Sequence, residues 1–344
     1  MDDRPQTIDH GPSSIVRRPL SIRLSVVIPN YNRADALQET LLSLARQTMD
    51  PALFEVVVVD DGSTDGSVEL LDGMIAGLPF SVSVLQQPQA GPGAARNRGA
   101  AAAGSDLLLF WDSDMIAGPA TLREHAALHG QHQGALVAGA RRPWAAACTT
   151  TFARITVLSG PGPDHFGERQ PTFVDVLSSN LSIPRHLFEQ LGGFDESLRA
   201  YEDLDLAYRA QRAGVSLVFS HDAFGYHNHP QTMKQACEHQ RAYQAHAAVL
   251  LQKYPEVEGA IRYLVDKGPV DWRRDSPSLV LRKAIRRVIA SPAVLPGLVV
   301  CVHLLERWWP APRLLAFFYW KVISSHQLLG YRAGLASLRT GQRK

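Results

Sequence analysis

Three short apolar runs in the first third of this chain each stop dead at a polar cluster, and that pattern restricts the folds open to it. They are LSVVIPN (24–30), FEVVVVDDGS (54–63) and DLLLFWDSD (106–114). A fourth run, FSVSVLQQ (80–87), alternates apolar and polar residues. Helical patterns separate them. ADALQETLLSLARQ (34–47) sets Leu37, Leu41 and Leu44 on one face. DGSVELLDGMIAG reads as a second helix, and GPGAARNRGAAAAG (91–104) as a third, with Pro near its first turn and Gly at its end. Near-continuous apolar strands alternating with helices predict a mostly parallel sheet with helices on both faces. Such sheets bind ligands outside the carboxyl ends of their strands. PNYNR, DDGSTD and DSD are therefore expected to meet on one edge.

The acidic pair in DSD poses an electrostatic problem. Asp112 and Asp114 on one turn repel each other and raise a carboxyl pKa. A divalent cation removes the cost, and Mg²⁺ or Mn²⁺ takes carboxylates together with phosphate oxygens. A solvated turn is the plainer alternative. Asp60 and Asp61 read either as a turn or as acceptors for a base or ribose. GPGAARNRG is not a dinucleotide fingerprint, because Arg96 stands where the third glycine belongs. Arg96 and Arg98, near a helix start, are instead expected to face phosphates, and Gly93 is counted with Arg96 among the nucleotide-sugar-binding residues.

After residue 130 the pattern changes. ALVAGARR and TFVDVLSSNLSIPR (172–185) read as strands, SGPGPDHFGERQP (159–171) as a loop, and RHLFEQLGGF as a short helix. YEDLDLAYRAQRAG (201–214) reads as an amphipathic helix. Glu202 and Asp203 fall in its first turn, where negative charge suits the helix dipole. The sharper reading makes Asp203 a general base. His221, His227 and His229 cluster after VSLVFS, and one of them is expected to complete the cation shell or contact diphosphate rather than form a zinc site, with surface histidines the plainer alternative. Residues 231–265 read as helical.

Together these segments resemble the family 2 glycosyltransferases of the GT-A fold. The likeness runs through VVIPNYNRADAL, VVVVDDGSTDGS, AGPGAARNRGA, LLLFWDSD, SSNLSIPR, LGGFDE and YEDLDLAYRAQRAG, in order, over about residues 22–230. It implies an inverting hexosyl transfer from a nucleotide-diphospho-sugar, expected to be a UDP-sugar, with Mn²⁺ or Mg²⁺. Position by position, Pro29, Tyr31 and Arg33 would line the nucleotide pocket and Asp60 or Asp61 would bind the base. Asp112, Ser113 and Asp114 would form the DxD site, Asp114 being the direct metal ligand with His227 nearby. Asp203, beside Glu202, would be the base. A Q-x-x-R-W motif is missing after the ED pair, which favours single addition. The acceptor stays open among a glycan, a lipid-linked sugar, a peptide and a small metabolite. A sugar-phosphate nucleotidyltransferase or a non-catalytic sugar-binding module are the competing readings; the first lacks its glycine-rich loop after the first strand.

The expected organisation is a disordered lead over 1–20, a GT-A body over 21–268 and a helical extension over 269–344. The body divides into a nucleotide-sugar half (21–115) and an acceptor half (116–268). Three scattered cysteines with no CxxC pair fit a reducing cytoplasm. Residues 273–344 hold 13 Lys/Arg and 2 Asp/Glu, a net of +11, so the rest carries −9 of the total +2. Residues 279–329 mix these cations with Trp308, Trp309, Phe317, Phe318, Tyr319 and Trp320, the pattern of an interfacial anchor at an anionic membrane. Packing on the body or a homodimer interface is the alternative. No nucleic-acid-binding module accompanies the charge.

Overall fold

The computed structural model describes residues 23–158, 170–228, 231–261, 264, 266–308 and 311–340. The expected lead over 1–20, residues 159–169 of the Gly/Pro-rich loop, His229 and Trp309 lie outside the described residues.

The elements run in order: β1 (Leu24–Asn30), α1 (Ala34–Leu44), β2 (Phe54–Asp60), α2 (Ser67–Met74), β3 (Ser81–Gln86), α3 (Pro92–Ala102), β4 (Leu107–Trp111), β5 (Met115–Ala117), α4 (Thr121–Gln131) and β6 (Leu136–Pro143). There follow α5 (Thr151–Leu158), β7 (Asn180–Pro184), α6 (Arg185–Gln190), α7 (Glu202–Arg212), β8 (Leu217–His227), α8 (Met233–Lys253), α9 (Pro277–Ile289), α10 (Leu295–Trp308) and α11 (Pro312–Thr340). One eight-stranded sheet has the order β3-β2-β1-β4-β7-β6-β8-β5. β1, β2, β3 and β4 pair in parallel, β7 is antiparallel to β4 and β6, and β6 pairs in parallel with β8.

Alternate residues of the central strands feed two separate cores. Val26, Ile28, Val56, Val58, Leu107 and Leu109 pack with Leu37, Leu41 and Leu44 of α1. Val27, Val57, Val59, Leu108 and Phe110 face the other way, onto Ala95 and Ala100 of α3 and the aromatic residues Phe188 and Phe194. Burial on both faces explains why these strands read as unbroken apolar runs. Close approach of α3 to β1 requires Gly99: a Cβ there would lie 2.4 Å from a methyl of Val27.

The segment 172–185 departs from the expected strands. Only Asn180–Pro184 is β. Residues Phe173–Asp175 form a single 3₁₀ turn, because the Asp175 carboxylate accepts the Thr172 N–H at 2.8 Å and draws the chain into a turn.

The helices beyond residue 268 are joined to the body. α11 packs along α8 so closely that added Cβ atoms at Gly330 and Gly334 would meet the carbonyl oxygens of Arg241 and Ala245 at 2.1 and 2.0 Å. A third core of Phe152, Cys237, Val302, Leu315 and Tyr319 ties α5, α8, α10 and α11 together.

Candidate active site

The strand ends do meet on one edge. β1 and β2 stay in register from Leu24↔Phe54 to Asn30↔Asp60, so their polar ends emerge side by side. β4 delivers Asp112 and Asp114 beside them. They open into a cleft of about 770 Å³. Pro29, Tyr31, Arg33, Asp61, Arg96, Asp112, Ser113, Asp114, Glu202, Asp203 and His227, all singled out from the sequence, line it. Asp60 and Gly93 do not.

The two aspartates at the end of β2 have different tasks. Asp60 accepts the Asn30 side-chain amide at 3.1 Å and the N–H of Ser63 at 2.9 Å, which closes the DDGS turn. Asp61 lines the cleft and accepts Gln87 Nε2 at 2.8 Å, Ala90 N–H at 2.7 Å and Gly91 N–H at 2.8 Å. A carboxylate offers about four lone-pair sites, so Asp61 retains about one for a ligand donor. Gly93 serves packing: its Cα hydrogen points at Phe194 and Glu202, with a Cβ site 3.5 and 3.6 Å from them.

The acidic pair is compensated differently from the sequence expectation. Arginines sit on both carboxylates. Arg96 Nη2 donates to Asp112 at 2.6 Å, and Arg33 Nη1 donates to Asp114. Arg96 does not present a free face to phosphate; it is buried, and its Nη1 donates to Glu202 at 2.7 Å. Burial alone would lower the Arg96 pKa, but Asp112 and Glu202 hold it above its ordinary value. Burial likewise works to raise Asp112, yet the Arg96 guanidinium, then Arg33, keeps that carboxyl below its ordinary value.

His227 reaches this spot through strand pairing. Met115 of β5 lies opposite His227 of β8, and Gly225 lets Trp111 press on the strand, a Cβ there falling 2.6 Å from the indole. His227 Nε2 stands 3.3 Å from Asp114 Oδ2. Burial, then Arg141, pushes its pKa down to about 3, so the imidazole is neutral, the form that ligates metals. Among the described residues no group of three His, Cys, Asp or Glu is ready-made for a metal. The donor set nonetheless fits Mn²⁺ or Mg²⁺: a carboxylate oxygen and a neutral imidazole nitrogen meet at one point, with Asp112 two residues away.

The ED pair opens α7 from a strained residue. Tyr201 takes a left-handed φ of 67°, uncommon for a side chain of this bulk, and its ring is buried against Tyr243 at 4.3 Å. Asp205 holds the helix down, accepting Arg209 at 2.6 Å and Lys253 at 2.5 Å. Glu202 is committed to Arg96, so it is no free base. Among the described residues Asp203 accepts two backbone N–H groups, Leu204 at 2.8 Å and Ser178 at 3.4 Å. Burial first, and the Glu202 charge second, push its pKa up to about 7.

The far wall of the cleft was not found in the sequence. Arg141, Arg199, His239, Gln240, Tyr243, Gln244 and Gln327 line it. Gln327 of α11 donates to Gln240 of α8 at 2.8 Å. Gln244 is buried, and its Oε1 has no partner among the described residues. Isolated glutamines on a helix carry no spacing signal that would have revealed them.

Comparison with known proteins agrees with this geometry. The family model "Glycosyl transferase family 2" matches residues 25–192, and "Glycosyl transferase family group 2" matches residues 109–324. The chain belongs to glycosyltransferase family 2. Its family is one of glycosyl transferases, a nearer match than the nucleotidyltransferase and non-catalytic readings. Validoxylamine A glucosyltransferase of Streptomyces hygroscopicus subsp. limoneus is 32% identical over 229 residues, which cover 59% of this chain and 51% of that protein. The match thus spans about half of that relative. The mannosyltransferase PcManGT from Pyrobaculum calidifontis, solved with GDP-Man and Mn²⁺, superposes with a TM-score of 0.57 at 18% identity, covering 88% of this chain and 86% of that one. S. aureus TarS in complex with UDP-GlcNAc gives 0.52 at 22% identity, covering 93% of each. These likenesses establish the GT-A fold of this family 2 glycosyltransferase.

Proposed function

We propose that the chain moves one sugar from a nucleotide-diphospho-sugar to an acceptor hydroxyl with inversion, Asp203 being the general base. The observation that carries this is a single one: a buried carboxyl held near pH 7 opens into the same cleft as the DSD turn. A base is most effective when its pKa lies near the working pH. Asp203 would take the proton of the acceptor hydroxyl as that oxygen attacks the face of the sugar opposite the departing diphosphate. The paired backbone N–H groups keep the carboxylate aimed. Asp61, Pro29 and Tyr31 would hold the nucleotide. The single open site on Asp61 suits an imino N–H, which uracil and guanine both carry. A UDP-sugar is the proposed donor, in line with the UDP-GlcNAc seen on TarS.

Asp114 and His227, with Asp112, would hold Mn²⁺ or Mg²⁺, which offsets the charge that grows on a diphosphate leaving group. To admit it, Arg33 must release Asp114. Arg33 would then add a second positive charge near the diphosphate. The far wall of α8 and α11 would receive the acceptor.

Incubation with a panel of nucleotide sugars and Mn²⁺ tests the reading. Release of nucleoside diphosphate from a UDP-sugar is expected. Release of nucleoside monophosphate, or no turnover of any donor, would contradict it.

A further inference from the structure

α9 is mounted inside out. A surface helix ordinarily buries its apolar stripe and leaves its charges in water. Here the charged side faces the body. Lys283 Nζ donates to Asp275 at 2.7 Å and to the Pro269 carbonyl at 2.9 Å. Arg286 pairs with Asp266 at 2.6 Å, and Arg287 donates to the Gly268 carbonyl at 3.3 Å. The opposite side presents Leu281, Ile285 and Val288, at i, i+4 and i+7, with Leu281 60% and Val288 61% exposed.

The same exposure continues on the neighbouring helices. Of thirteen large hydrophobic residues exposed among the described residues, eleven lie between Trp272 and Trp320. α10 presents Val300, Leu304 and Trp308, the last 75% exposed. α11 presents Phe317 and Trp320. Leu281 and Ile285 of α9 share a groove with Lys321 of α11, so these two faces adjoin. Cations border the apolar stripes: Arg282, Arg307 and Arg313 are exposed. The Lys321 ammonium lies 5.0 Å from the Phe317 ring, and the Arg307 guanidinium 5.6 Å from the Trp308 ring.

We propose that the outer face of α9, α10 and the first turns of α11 docks in the interface of an anionic phospholipid membrane. Apolar stripes with aromatics and a cationic rim match that interface, in which the chain lies without crossing. No helix among the described residues is long and apolar enough to cross a membrane. The charge selects lipid over a second copy of the chain. A twofold contact through this face would set the same cationic rim against itself. Anionic headgroups complement it, each Lys or Arg near the surface strengthening partition about five-fold. Docking also places the cleft. Trp320 and Gln327 are seven residues apart on α11, about 10 Å along its axis. The far wall of the cleft would then stand about two turns above the lipid.

Sedimentation of the full chain with vesicles tests this. Vesicles of phosphatidylcholine mixed with phosphatidylglycerol should carry the protein down at low salt at least ten-fold more than phosphatidylcholine alone, and added salt should weaken the difference. The doubly substituted Leu281→Ser, Ile285→Ser protein and the Phe317→Ser, Trp320→Ser protein should each lose ten-fold or more of that partition. Their circular dichroism and melting should stay unchanged, because these side chains face outward. Equal partition to both vesicles, or variants that sediment like wild type, would overturn the proposal. So would a lipid-free dimer that these substitutions convert to monomer, which would assign the face to self-association.

Discussion

Arg96 joins Asp112 to Glu202: its two terminal nitrogens stand 2.6 Å from the first and 2.7 Å from the second. The link crosses from the strand end that carries the DSD turn to the helix start that carries the ED pair. One buried cation thus neutralises a carboxylate in each half of the site and leaves Asp203, one residue further on, without an ion pair of its own among the described residues.

Removing that cation should therefore do more than remove charge. Arg96→Met leaves two carboxylates facing each other in a partly buried place. Breaking a buried ion pair from one side typically costs about 3–5 kcal/mol. Urea denaturation should show a loss of that order, and Glu202→Gln in the same chain should recover part of it. A single Arg96→Met protein as stable as wild type would remove Arg96 from this role.

Arg33 and a divalent cation compete for the Asp114 carboxylate. Arg33→Gln should bind Mn²⁺ more tightly than wild type when no nucleotide is present, yet bind nucleoside diphosphate more weakly. Asp114→Ala should lose Mn²⁺-dependent nucleotide binding altogether. Calorimetric titrations of Mn²⁺, with and without UDP, read both effects.

The neighbours Asp60 and Asp61 should separate cleanly. Asp61→Asn is expected to weaken donor binding about ten-fold or more, since a charge-assisted acceptor facing the cleft is worth about 1.5–3 kcal/mol. Asp60→Asn should leave donor affinity nearly intact and lower stability, because its bonds close the turn after β2. The reverse result would place the base-binding carboxylate at Asp60.

Gly225→Val should disturb the site from a distance. The added side chain meets the Trp111 indole and must push β8 outward, and overpacking of this kind costs about 1–3 kcal/mol. Since β8 carries His227 to Asp114, Mn²⁺ affinity should fall along with the melting temperature.

Much of the nucleotide half was legible because strands buried on both faces leave unbroken apolar runs, and because functional carboxylates sit where those runs end. DSD and DDGS could be found for that reason, whereas YED was read from the amphipathic helix it opens. Pairings between distant residues could not. Arg33 with Asp114 and Arg96 with Asp112 are brought together only by the fold, and both lend positive charge to the acidic pair. His227 lies beside Asp114 because β8 pairs it with Met115, a strand pairing the sequence does not show. The far wall was missed because α11 reads as a basic tail, and only its packing along α8 brings Gln327 to the cleft.

Asp203 gives the most direct test. With a pKa near 7, the base form fills as pH rises through 7, so wild-type turnover should climb over that range and level off above it. The same titration should make folding less favourable as pH rises from about 4 to about 7, because the folded state binds the proton more tightly than the unfolded chain. Asp203→Asn should keep the donor affinity of wild type, lose about 10²–10⁴ in turnover and lose the climb through pH 7. Measuring sugar transfer against pH for the two proteins, with donor affinity determined alongside, decides it: an Asp203→Asn protein that turns over at the wild-type rate would contradict the assignment.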